Sequence, residues 1–128
     1  MTLAALQLID DILDALQDAT PQFITEDDLQ AEIARVLREA GIPASREVRL
    51  SDGRSRIDLL ADRVGIEVKI KAGSRASTGD VARQLQRYAK CDEIDALVLV
   101  TNSYTHLQLP SEIAQTPIAR FHLTGALQ

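Results

Sequence analysis

The chain has one cysteine, two histidines, no long apolar run and, in its first 28 residues, no basic side chain. A lone Cys91 cannot form an internal disulfide, so it is expected to serve as a small apolar residue near a helix end. No stretch approaches the length of a membrane span. The N-terminal segment, with aspartates from Asp10 onward and no basic n-region, lacks the features of a signal peptide. The cytoplasm is therefore the expected compartment, with no membrane partner. Neither an internal repeat nor a low-complexity tract is present. With 128 residues and 45% hydrophobic content, the chain is expected to form a single domain over 1–128 around one core.

What is present is concentrated in the middle. Arg54 to Ala61 and Val64 to Lys71 alternate apolar and polar residues as strands do, with Asp62-Arg63 between them as a tight hairpin turn. A turn symmetric about those two residues sets Asp58 directly across from Glu67. Opposed side chains lie about 4.5–5.5 Å apart at Cβ, and two carboxylates that close repel unless a cation compensates. Period-two alternation puts Lys69 on the face of Glu67 and turns Val68 to the other. Two oxygen-bearing acids suit a hard divalent cation, and an ammonium beside them can face a phosphate, which points to phosphodiester hydrolysis. No histidine is needed, and His106 and His122 read as structural or surface residues.

The flanking segments supply helices and further strands. Thr2 to Asp18 has Leu6, Ile9, Ile12, Leu13 and Leu16 on one arc and Asp10, Asp11, Asp14 and Asp18 on the other. Its apolar arc is expected to pack on the domain or build a homodimer interface, with docking to a protein partner as the other use. Glu26 to Ala40 is an amphipathic helix opened by Thr25, with Leu29, Ile33, Val36 and Leu37 as its stripe. Thr78 to Cys91 is another, capped by Ser77 or Thr78, with Val81, Leu85, Tyr88 and Ala89 inward and Gln84 one turn before Tyr88. Asp95 to Val100 is the continuous apolar run of a buried strand, expected parallel to Val64 to Lys71. Beyond it, Asn102 to Leu109 is expected as loop, Pro110 to Gln115 as a helical turn and Ile118 to Leu123 as a terminal edge strand. Together these predict a mixed α/β sheet flanked by helices: an acidic N-terminal helix over 1–20, a core over 26–101 and an extension over 102–128.

Ile57-Asp58 followed by Glu67-Val68-Lys69 resembles the PD-(D/E)xK, or restriction-endonuclease-like, nuclease superfamily. Gln84 and Tyr88 resemble the Q-x-x-x-Y motif of its RecB-type branch. The resemblance covers roughly Glu26 to Thr101 and implies a core of helix, three-stranded antiparallel meander, helix and strand. The residue before Asp58 is isoleucine where the family pattern has proline, its loosest position. The resemblance further implies that Asp58, Glu67 and the Val68 carbonyl ligate Mg²⁺ or Mn²⁺, while Lys69 orients or helps activate the attacking water. Gln84 would orient Lys69 or a phosphate, and Tyr88 would contact the nucleic-acid backbone. Members often place a glutamate from the first core helix near the metal, which makes Glu32 a candidate. A symmetric turn at Asp52-Gly53 would instead bring Glu47 across from Asp58, and sequence leaves the two open.

The net charge of −5 hides an asymmetry: Arg49 to Lys90 contains ten basic and five acidic residues, and the remainder carries −10. Binding follows local charge, so Arg56, Lys71, Arg75, Arg83 and Arg87 are candidate nucleic-acid contacts, Arg75 within the loop Gly73-Ser74-Arg75. The expected activity is metal-dependent hydrolysis of DNA, with RNA not excluded. A nuclease-fold module that binds without cleaving is the alternative.

Overall fold

The computed structural model describes residues 2–23, 25–70 and 78–123. It is an α/β fold with a mixed six-stranded sheet and three α-helices. Helix α1 (Leu3–Ala19) starts at Thr2, whose hydroxyl accepts the Ala5 N–H at 3.1 Å. Helix α2 (Glu26–Glu39) starts at Thr25, whose hydroxyl accepts the Asp28 N–H at 3.0 Å, the cap expected from sequence. Strands β1 (Ser45–Arg49), β2 (Arg56–Ala61) and β3 (Val64–Lys69) follow, then α3 (Thr78–Ala89) and β4 (Ala96–Thr101). A 3₁₀ turn at Tyr104–Gln108 leads to β5 (Glu112–Ile113) and β6 (Thr116–His122).

The strands lie in the order β1-β2-β3-β4-β6-β5. β1, β2 and β3 form an antiparallel meander, whereas β3, β4 and β6 run parallel. The β2–β3 pairs Ala61↔Val64, Leu60↔Gly65 and Leu59↔Ile66 have the register that a two-residue turn at Asp62-Arg63 requires. Asp62 takes a left-handed φ of 51° in that turn, which aspartate tolerates.

Two apolar layers sandwich the sheet. Ile9, Ile12 and Leu16 of α1 join Leu29, Ile33 and Leu37 of α2 over Leu59, Ile66, Val68, Val98 and Val100. On the other face, Val81, Leu85 and Tyr88 of α3 cover Ile57, Leu97, Leu99 and Ile118. Ile9, Ile12 and Leu16 of the α1 arc are thus buried and Leu13 partly so, whereas Leu6 of the same arc is exposed, as is Leu3. Among the described residues, no helix is long and apolar enough to cross a membrane.

The extension after β4 departs from expectation. Asn102 to Leu109 contains the 3₁₀ turn rather than plain loop. Pro110 to Gln115 is no helical turn but the start of a hairpin: Ala114 and Gln115 both take left-handed φ values, 51° and 67°, and return the chain so that Ile113 pairs with Thr116. Two such residues match the twist of flanking strands, but alanine and glutamine carry none of the usual turn signal. β6 is consequently not the edge, because β5 lies outside it.

Gly65 is closely packed on the α3 face. A Cβ there would lie 2.3 Å from Ile57 Cδ1 and 3.0 Å from both Ile94 Cδ1 and Leu97 Cδ2. All three neighbours are buried, so none can swing into solvent. Gly65→Val is expected to cost about 2–3 kcal/mol through overpacking. Urea unfolding checks this, and an unchanged midpoint would mean that the face has slack.

Candidate active site

Asp58 and Glu67 meet where β2 and β3 part. Their register, carried one step past Leu59↔Ile66, sets Asp58 opposite Glu67, but the ladder ends at Leu59↔Ile66. The Val68 N–H instead donates to Asp58 Oδ2 at 2.8 Å. Two residues further on, the Ile70 N–H donates to Glu26 Oε2 at 2.8 Å. Two amides on the β2 side of this strand are therefore held by carboxylates from β2 and α2. Because a strand residue projects its N–H and C=O from the same edge, the Val68 carbonyl faces the opening that Asp58 occupies.

The side-chain pattern changes at the same place. Leu59 and Ala61 pack under α1 and α2, as period two requires, but Ile57 and Leu60 belong to the α3 layer. The alternation therefore slips beside Asp58. Opposite it, in the register of β1 and β2, stands Glu47, whose φ of 51° interrupts the ladder between Arg46↔Leu59 and Val48↔Ile57.

Glu67 is 2% exposed on the α3 face, with Lys69 Nζ 3.3 Å from its Oε2. Its other oxygen, Oε1, has no hydrogen-bond partner among the described residues. Burial, then the neighbouring Asp58 carboxylate, pushes the Glu67 pKa up to about 8, and Lys69 offsets only part of this. Asp58 is half-buried and raised too, chiefly by desolvation, against the pull of the Val68 N–H and Lys69, with Glu26 adding repulsion. Among the described residues, one ammonium thus serves two crowded carboxylates.

Of the two acids considered as a third member, neither is drawn to this pair. Glu32 is bound by Arg35, with Nε to Oε1 at 2.8 Å and Nη2 to Oε2 at 2.9 Å, and that contact holds its carboxyl below the usual range. Glu47 is in the anticipated register but exposed. The glutamate that reaches the site from the first core helix is Glu26, in the first turn of α2. The apolar stripe gave no reason to choose it. What selects it is the docking of the helix start against the end of β3.

Tyr88 is 1% exposed, and its hydroxyl donates to the Arg56 carbonyl at 3.2 Å. A direct contact with a nucleic-acid backbone is therefore corrected to an internal one: Tyr88 ties α3 to β2 two residues before Asp58. Burial raises its pKa, and the Glu67 and Asp58 carboxylates push the same way, while half-buried Gln84 lies beside the hydroxyl. Arg56, Arg83 and Arg87 are exposed, Arg83 in an ion pair with Asp80. Lys71 and Arg75, with the expected Ser77 cap, lie outside the described residues. His106 is buried against Thr101 Oγ1 at 3.0 Å, a structural position, and Cys91 is buried.

Among the described residues, no three His, Cys, Asp or Glu side chains form a group that could hold a metal ion. The oxygen atoms that stand together at this point are those of the Asp58 and Glu67 carboxylates, with the Val68 carbonyl on the same edge of β3. An all-oxygen set with an orphaned buried carboxylate oxygen fits a hard cation that keeps several of its own waters, as Mg²⁺ does. No family model, no curated protein and no solved structure matches the chain.

Proposed function

We propose that this protein is a metal-dependent nuclease that hydrolyses DNA phosphodiester bonds. The observation that carries the reading is Glu67: a buried carboxylate beside a second one, with an oxygen that has no partner and a single ammonium among the described residues, is held in its charged form by added positive charge and otherwise takes up a proton. The order of elements supports it, since α2, the β1–β2–β3 meander, α3 and β4 follow the helix, three strands, helix, strand sequence of the restriction-endonuclease-like core. The motif residues support it as well, with Asp58, Glu67 and Lys69 collected where β2 and β3 part.

Asp58, Glu67 and the Val68 carbonyl would hold Mg²⁺ or Mn²⁺. When bound, the ion lowers the pKa of a water and polarises the phosphoryl oxygen. Lys69, held on the face of Glu67, orients the phosphate and stabilises negative charge as it builds on the phosphoryl oxygens. Gln84, beside Tyr88 on α3, positions this part of the site from the helix side. The Tyr88 hydroxyl fixes the β2 backbone so that Asp58 is presented at a set height.

The test is one panel of linear, nicked, branched and single-stranded DNA, plus RNA, each with Mg²⁺, Mn²⁺ or EDTA. Wild type is expected to cleave DNA with either metal and not in EDTA. Lys69→Ala is expected to lower the rate on the order of 10²–10³-fold. Cleavage that survives both Lys69→Ala and Asp58→Ala would remove the assigned residues from the chemistry. If no substrate is cleaved and no metal is bound, the protein is a binding module instead.

A further inference from the structure

We infer that Arg49 and Arg56 form a phosphate clamp on the β1–β2 hairpin, gripping the DNA backbone where it passes the end of the hairpin; this rests on the nuclease reading above. The two arginines are a directly opposed pair in the antiparallel ladder. Both are exposed, and neither has an ion pair among the described residues. Like charges directly across a sheet are unfavourable, so the pair costs stability where it stands. Protecting the edge of the sheet would explain a charge on β1, the outer strand, but not its match on β2.

The hairpin is built to hold the pair in place. Asp52 Oδ1 accepts the N–H groups of Arg54 and Ser55 at 2.9 and 2.8 Å, and Asp52 Oδ2 accepts the Ser55 hydroxyl at 2.5 Å. The Leu50 N–H donates to the Ser55 carbonyl at 2.9 Å, and the Tyr88 hydroxyl secures the Arg56 carbonyl from α3. Exposed Arg54 extends the positive charge around the turn. Arg56 precedes Asp58 by two residues, roughly 6–7 Å at the rise of a strand. Val48, Leu50 and Ile57 pack in the α3 layer, so the pair stands on the other face of the hairpin, where a backbone passing around its end would meet it.

The experiment measures binding of a short fluorescein-labelled DNA duplex across a salt series, with Ca²⁺ replacing Mg²⁺, for wild type, the Arg49→Gln/Arg56→Gln double variant and Arg38→Gln. Arg38 is an exposed arginine on α2 without an ion pair among the described residues. The double variant is expected to flatten the slope of log affinity against log salt by about 2, while Arg38→Gln leaves it unchanged. Its melting temperature is expected to stay level or rise, because repulsion is relieved. An unchanged slope in the double variant, with wild type still cleaving DNA, overturns the clamp and leaves the nuclease reading intact. An equal change in Arg38→Gln also overturns it, since any surface arginine would then serve. A wild type that neither binds nor cleaves DNA overturns both.

Discussion

Glu67→Gln is expected to abolish metal-dependent cleavage, by at least 10²–10³-fold as an order of magnitude, and at the same time to make the metal-free protein more stable at alkaline pH. The two effects have one cause. The Glu67 carboxylate is buried beside Asp58, and the price of keeping it charged appears as a pKa pushed up to about 8. A folded-state pKa above the unfolded value means that the native protein binds more protons than the unfolded chain between about 4.5 and 8. Wild-type stability without metal is therefore complete at low pH, falls as pH rises through this window, and is lowest above it. Asp58 is shifted in the same direction, so it adds to the decline.

Glutamine removes the charge and flattens this profile. At pH well above 8 the variant is expected to exceed wild type by roughly 1–3 kcal/mol, and near pH 4.5 the two should coincide. Mg²⁺ should restore wild type at high pH and leave the variant unmoved. Thermal unfolding across pH, with Mg²⁺ or EDTA, reads all of this. A variant less stable than wild type at high pH would show that Glu67 is not strained by its surroundings.

Asp58 is expected to separate chemistry from structure. Asp58→Ala and Asp58→Asn should both lose cleavage, because each removes a charged oxygen donor. They should differ in stability. The Val68 N–H depends on Asp58 Oδ2, and alanine leaves that donor without its acceptor, at a cost of about 1–3 kcal/mol. Asparagine retains a carbonyl oxygen that can accept it, and also relieves the repulsion with Glu67. Urea unfolding in EDTA is expected to rank Asp58→Ala well below Asp58→Asn. Equal midpoints would deny the carboxylate its structural task, and cleavage by either variant would remove it from the site.

The two hairpins of the β1–β2–β3 meander were the most legible part of the fold. Symmetric turns at Asp52-Gly53 and Asp62-Arg63 set the registers found in β1–β2 and β2–β3, and with them the approach of Asp58 to Glu67. The helix cap at Thr25 and the apolar stripe of α3 follow local rules that sequence states directly, whereas Thr2, expected within the first helix, caps it. The parting of β2 and β3 was not legible, because a strand pair that stops early looks like one that continues. Glu26 was missed for a related reason: its role depends on where α2 docks, not on its own periodicity. Tyr88 carried a readable position but not a readable depth, since an aromatic at the flank of a helix stripe can face inward or out. The β5–β6 hairpin turns through Ala114 and Gln115, residues that do not announce a left-handed backbone.

The carboxylates on Val68 and Ile70 have a meaning for the sheet as well as for the site. Where β2 leaves β3, an interior strand acquires a short unpaired margin, the kind of surface that recruits foreign strands. Asp58 and Glu26 stopper that margin with side chains instead of backbone. Their negative charge also repels the carbonyl row of any strand seeking to add there. The acids that would manage a metal thus also guard the fold against self-association, and loss of their oxygen acceptors would loosen the proposed metal site and open a seam in the sheet in a single event.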